Sequence, residues 1–324
     1  MTEPRIRRLV GVSLNAAIDR IASVERLVPG TIHRPQELSA LPGGKAANVL
    51  RAARHLGLPG ELVAVLGGHA GAWYREALAA RDIGIEAVEV SGETRTCLSV
   101  LDEAAGTLTE FYAAGVTLTD ADWPRVEGAL ERALRPDGRD ALVVLAGSLP
   151  PGAPTDAYAR LARVASRAGA RAAVDIAGEP LLAALEARPW LVKVNAAEAE
   201  TATGTSARTL GRAAAAGRTL RARGAVNAIV TRGVHGAVAS TTAGTWAVGG
   251  VPAALRGPYS VGSGDAFLAG YAVALARGEP PADALRLGAA AGTANARTPG
   301  QGELDPDEVQ RLAPRFATTR RPDD

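Results

Sequence analysis

One cysteine, one methionine and three phenylalanines are spread over 324 residues, and lysine is almost absent from a chain with 36 basic side chains. The single thiol, Cys97, excludes an intrachain disulfide and a cysteine-rich zinc site, and points to a reducing, cytoplasmic setting. No run of about eighteen apolar residues occurs, so no membrane helix is expected. Met1–Val10 lacks the sustained apolar core of an export signal. His33, His55, His69 and His235 show no paired metal-ligand spacing, and the tryptophans are isolated. Net charge is +2 with arginines scattered singly, which gives no footprint for nucleic acid. The partner expected instead is a small anionic ligand that needs only a local patch.

What is present is a 47% apolar, 22% charged composition, ample for a globular core. Short apolar runs at Glu61–Leu66, Ala141–Ala146, Ala172–Ile176, Leu191–Asn195 and Asn227–Thr231 alternate with helical patterns such as Ala46, Leu50, Ala53 and Leu56. Alternation of this kind predicts an α/β fold, a doubly wound, mainly parallel sheet with helices on both faces. Gly236–Ser240 and Gly244–Val248 read as a hairpin. Val12–Leu41 and Ser91–Thr117 break the rhythm with alternating polar residues and turn signals. They are expected to form a small antiparallel β lid, 12–41 with 91–117, over a core of 1–11, 42–90 and 118–324. Exposed lid strands invite pairing into a homodimer. The tail Ala317–Asp324 reads as frayed.

Val261-Gly262-Ser263-Gly264-Asp265 runs into an apolar helical segment. The two glycines allow a tight turn whose N–H groups converge on an anion at a helix amino end. A carboxylate beside a phosphoryl group repels it, unless Asp265 accepts a proton from an attacking hydroxyl. An acidic first-turn residue at an ordinary helix start remains the rival reading. At that position Asp265 is expected to keep a low pKa. Pro42-Gly43-Gly44-Lys45-Ala46-Ala47-Asn48 precedes a second helix, but it is no Walker A loop, because Ala46 and Ala47 stand where Ser or Thr should follow the lysine. The only two lysines, Lys45 and Lys193, both lie in motifs. Ligands of a doubly wound sheet bind at the carboxyl ends of its strands. That singles out Ser148, Lys193 with Asn195 and Glu198, and Thr231 with Gly233 and Gly236. Asn195 and Glu198 fit either a capping box or a carboxylate that holds Mg²⁺ through water.

In this order the segments resemble the ribokinase-like (PfkB) carbohydrate kinases along nearly the whole chain. The anchors are Gly43-Gly44-Lys45-Ala46-Ala47-Asn48 and Gly262-Ser263-Gly264-Asp265, with Ala291-Gly292-Thr293-Ala294-Asn295 behind them. Thr94-Arg95-Thr96 and Thr109-Glu110 are similar to the branch of 1-phosphofructokinase and tagatose-6-phosphate kinase. The resemblance implies ATP as donor, Mg²⁺, and a ketohexose phosphate of fructose 1-phosphate or tagatose 6-phosphate type as acceptor. It implies Asp265 as base, with Gly262, Ser263 and Gly264 around the transferring phosphoryl. Asp19, Gly43, Gly44, Lys45, Asn48, Arg95 and Ser148 would hold the acceptor. Lys193, Asn195, Thr231, Gly233, Gly236 and Asn295 would hold the nucleotide, with Glu198 near the metal. Ala16 and Val194 replace prolines common in the family, and Phe111-Tyr112-Ala113-Ala114-Gly115 departs from its usual lid segment. A kinase for an unphosphorylated sugar or nucleoside, and a non-catalytic sensor on the same fold, are the alternatives.

Overall fold

The run Ala141–Ala146 is apolar and buried at every position. Leu142 and Val144 enter one hydrophobic layer while Val143 and Leu145 enter the other, as a strand covered by helices on both faces requires. This computed structural model describes residues 5–322. Its strands, in chain order, are β1 (Arg8–Ser13), β2 (Ala17–Val24), β3 (Gln36–Gly43), β4 (Gly60–Leu66), β5 (Gly84–Glu89), β6 (Arg95–Asp102) and β7 (Thr107–Tyr112). They continue with β8 (Ala141–Ala146), β9 (Arg171–Asp175), β10 (Leu191–Asn195), β11 (Asn227–Thr231), β12 (Ala237–Thr241), β13 (Gly244–Val248) and β14 (Thr318–Arg321).

The main sheet runs β14-β13-β12-β11-β10-β9-β8-β1-β4-β5. Neighbours from β5 through β11 are parallel. The predicted hairpin β12–β13 and the edge strand β14 extend the sheet antiparallel. The strand order reverses around β1, which lies between β8 and β4. Such a switch point opens a crevice at the carboxyl ends of the strands.

A second sheet, β3-β2-β6-β7, forms the lid. Its outer pairings are antiparallel as expected, but β2 and β6 run parallel. The chain between them contains β3, β4, β5 and two helices, a crossover long enough for parallel pairing. Val12 and Ser13 finish β1 in the main sheet, while Pro42 and Gly43 finish β3 in the lid. Only Leu14–Ala16 separate β1 from β2, and β3 passes into the helix Lys45–His55 through Gly44. The lid is therefore rooted at the rim of the crevice.

One expectation fails at the end of the chain. Thr318–Arg321 is paired along β13 as β14 instead of fraying, with the Arg320 guanidinium 5.8 Å from the Trp246 ring centroid. The open edge of β13 supplies a ladder that a composition reading of the tail does not contain.

Candidate active site

A cavity of about 630 Å³ lies at the switch point, between the strand ends and the lid. Ser13, Ser148, Asn195 and Thr231, each at or just beyond a strand's carboxyl end, and Lys193 within β10 line it together with the turn Val261–Asp265.

Gly262 caps the helix Ser263–Ala276 with φ of 80°, a left-handed conformation that favours glycine. The Ser263 N–H is taken by the Ser260 carbonyl at 3.3 Å, which leaves the Gly264 and Asp265 N–H groups at the positive end of the helix. A Cβ on residue 264 would lie 2.8 Å from Lys193 Nζ, so the missing side chain lets the ammonium sit directly under the turn. All four residues of Gly262–Asp265 line the cavity.

Asp265 is 6% exposed. Burial, then the neighbouring Asp175, push its carboxyl up to about 6 against the pull of Lys193, Lys45 and the Asn48 amide. The low pKa expected from the helix terminus is thus overturned, because desolvation and a second buried carboxylate outweigh the dipole. Asp175, at the end of β9, went unnoticed in the sequence. It accepts from Lys193 Nζ at 2.5 Å and Lys45 Nζ at 2.9 Å. Its burial would raise the carboxyl, but the two ammonium groups hold it below the ordinary carboxylate range. Asp175 in turn raises Lys45. The only lysines of the chain are therefore gathered by one carboxylate directly beside the anion turn.

The lid end of the cavity is polar. Asp19, on β2, accepts from the Gly44 N–H at 3.3 Å, and burial raises its carboxyl to about 6 despite Arg51 and Arg95. Arg95 Nη1 and Nη2 donate to the carbonyls of Ala113 and Asn15, at 3.2 and 3.1 Å, and its Nε is buried without a partner. Ser148 Oγ accepts from Asn15 Nδ2 at 3.0 Å. Asn48 Nδ2 donates to Asp265 Oδ2 at 2.8 Å. Gly43 lies behind the lining, its carbonyl accepting from Tyr74 Oη at 2.7 Å. Tyr112, from the lid segment Phe111–Gly115 that departs from the family's usual one, closes this end.

The opposite end combines Asn195, Thr231, Gly233 and Gly236 with the apolar walls Val251, Leu255 and Phe316, a composition suited to a nucleoside. Two expected residues are placed differently. Asn295 is fully buried outside the lining; its Nδ2 donates to the Val261 carbonyl at 3.0 Å and its Oδ1 accepts from the Gly302 N–H at 2.7 Å. It braces the anion turn from behind. Glu198 also lies outside the lining and forms the capping box with Asn195, at 2.8 and 3.0 Å. Its charge is still felt at Lys45.

A buried carboxylate beside a helix-end anion turn, with partly apolar walls on one side and Asp19 with Arg95 at the lid end on the other, is a layout that suits phosphoryl transfer to an alcohol. The sequence profile of the "pfkB family carbohydrate kinase" matches residues 10–308. The chain belongs to this family. It resembles the 1-phosphofructokinase of Bacillus subtilis (strain 168), 31% identical over 95% of this chain and 98% of that protein. It is 36% identical to the 1-phosphofructokinase of Xanthomonas campestris pv. campestris, over 82% of this chain and 83% of that one. Among solved structures, Escherichia coli phosphofructokinase-2 in complex with substrates and products superposes with a TM-score of 0.87 at 27% identity, covering 95% of this chain and 99% of that one. As a pfkB-type carbohydrate kinase the chain is an enzyme, using ATP and Mg²⁺. Among the described residues no group of three or more His, Cys, Asp or Glu could hold an ion by itself. Glu198, whose charge reaches Lys45 beside the anion turn, fits an ion that arrives on phosphates. Mg²⁺ commonly keeps its waters and takes one or two carboxylates besides the nucleotide. From outside the lining Glu198 would hold such an ion through water, and the ion would neutralise charge on the phosphates. No helix among the described residues is long and apolar enough to cross a membrane.

Proposed function

We propose that the enzyme phosphorylates a hydroxyl of a ketohexose phosphate of the fructose 1-phosphate type, with ATP as donor. The observation that carries this reading is Arg95, which lines the lid end of the cavity that holds Asp265, spends Nη1 and Nη2 on backbone carbonyls and, among the described residues, pairs with no carboxylate. A phosphate already on the acceptor supplies the anion that such a guanidinium matches. The relatives named 1-phosphofructokinase support the same class.

In the reaction the acceptor hydroxyl gives its proton to Asp265, its oxygen bonds to the terminal phosphorus, and the bond from that phosphorus to the ADP oxygen breaks. A carboxylate poised near 6 is a better base than one at its ordinary value, and is still ionised at neutral pH. The Gly264 and Asp265 N–H groups meet the transferring oxygens, each well-placed donor contributing on the order of 3 kcal/mol. Lys45 and Lys193 add positive charge there. Asp19 and Ser148 orient the sugar hydroxyls, Asn195 and Thr231 face the nucleotide, and the lid excludes water.

Two lid features bear on assembly and setting. Phe111 and Tyr112 on the edge strand β7 are exposed, as is Ile32, and pairing of two lids into a homodimer would cover them. The lone free thiol, Cys97, is buried and suits a reducing cytoplasm.

The test is a panel of acceptors with ATP and Mg²⁺, comprising fructose 1-phosphate, fructose 6-phosphate, tagatose 6-phosphate, free fructose, ribose and adenosine. The highest kcat/KM is expected for fructose 1-phosphate. A free sugar or nucleoside as best substrate overturns the assignment.

A further inference from the structure

Arg51 is the bulkiest fully buried charged side chain among the described residues, with 1% of its surface exposed. It does not line the active-site cavity, yet three of its four partners belong to that site's frame. Nη1 donates to the Pro42 carbonyl at the end of β3, and Nη2 to the Gln301 carbonyl. The Gln301 backbone backs the anion turn, since a Cβ on Gly262 would fall 2.8 Å from Gln301 Cα. Nη2 also donates to Asn48 Oδ1 at 2.8 Å, and Nε faces Glu303 Oε1 at 3.4 Å. Glu303 is held from the other side by His55 at 3.0 Å.

A guanidinium can only donate hydrogen bonds. Asn48 must therefore present Oδ1 to Arg51, which sends Nδ2 the other way, onto Asp265 Oδ2 at 2.8 Å. Without Arg51 the amide keeps only Asp265 to distinguish its two ends and loses the donor that anchors Oδ1 and aims Nδ2. Turned over, it would set an oxygen against a carboxylate oxygen.

We propose that Arg51 is a positioning residue for the base: by fixing the orientation of the Asn48 amide it engages Oδ2 of Asp265 and leaves Oδ1 as the atom that takes the acceptor's proton. This rests on the phosphoryl-transfer reading above. It gives a buried cation that touches neither substrate a role one residue removed from the chemistry.

The test is a double-mutant cycle on the full-length enzyme with Arg51→Met, Asn48→Leu and the pair, using the best acceptor from the panel. Arg51→Met is expected to lower kcat by roughly 30- to 100-fold while KM for ATP stays within about twofold. In the Asn48→Leu background the same change should lower kcat by less than about twofold, because its route to Asp265 is already gone. The acid limb of the kcat profile should move to higher pH in Arg51→Met, since the Asn48 hydrogen bond favours the ionised Asp265, alongside Lys193 and Lys45 and against Asp175. Arg51→Lys keeps the charge but lacks the fork, and should restore only part of the rate. If Arg51→Met does not fold, Arg51→Lys takes its place in the cycle. Full multiplication of the two single losses, or an unmoved acid limb, overturns the proposal. A wild-type enzyme that turns over no acceptor strikes the kinase reading itself, whereas an active wild type with independent losses strikes only the relay.

Discussion

The floor of the cavity and the lid above it treat polar groups in opposite ways. On the floor, Asp175 and Lys193 are essentially sealed from solvent and bound to each other, and Asp265 is fixed by Asn48. On the lid, Phe111 and Tyr112 are 54% and 62% exposed, and Arg95 rests on backbone carbonyls alone. Charges buried in pairs cost much to move, so the floor is set before a substrate arrives. Side chains with loose partners can re-pair, which on the proposed function makes the lid the place where one acceptor is told from another. Chemistry and choice of acceptor therefore sit on different elements, and substitutions should separate them.

The largest expected effect is on the floor. Asp265→Asn keeps the shape and removes the base, so kcat should fall by about 10²–10⁴ while nucleotide affinity, measured by calorimetric titration, changes little. Wild-type turnover in the purified variant would remove Asp265 from the mechanism and with it the contrast. A smaller, more selective effect belongs to the lid. Arg95→Ala should raise KM for a phosphorylated acceptor by roughly 10- to 100-fold, the loss of a charge-assisted hydrogen bond, and leave that for a free sugar unchanged. Equal losses for both acceptors would show that Arg95 does not read the phosphate.

The smallest effect is on stability, and it sharpens the picture of a strained floor. A carboxyl raised from 3.8 to about 6 by folding penalises the native state wherever it is ionised there. Above about pH 6 this costs on the order of 1–3 kcal/mol, discounted because the group borders an open cavity. Below about pH 4 it is protonated in both states and the cost disappears. Asp265→Asn should therefore be more stable than wild type near pH 8 by denaturant titration, with the gain fading as pH falls from about 6 to 4. A gain that persists in acid would mean that the carboxylate is not the source.

Much of the frame is legible in the linear chain. The limits read for Ala141–Ala146, Leu191–Asn195 and Asn227–Thr231 coincide with β8, β10 and β11, because a strand buried on both faces is an unbroken apolar run. The same habit concealed Asp175. It lies within the run Ala172–Ile176, although a polar residue at a strand's carboxyl end is the very signal that singles out Asn195 and Thr231. Arg51 carried no signal, since helical periodicity marks apolar faces and cannot show that one cation of the helix Lys45–His55 turns inward. Asn295 shows the opposite case: it is expected at the nucleotide, and it spends its hydrogen bonds on the backbone that frames the cavity. Of the two readings open for Glu198, the capping box is formed. Residue type and position locate a neighbourhood, and only three-dimensional partners say which way an amide or carboxylate is turned.

The short tethers of the lid carry a mechanical implication. Asp19 lies on β2, two residues into the strand after the Leu14–Ala16 link, and Lys45 begins the helix that β3 enters through Gly44. Swinging that flap would drag the sugar-side carboxylate along with it, while the Lys45 ammonium stays on Asp175. An empty enzyme whose flap gapes is then not merely wet but also mistuned, so idle breakdown of the donor is checked twice by one hinge.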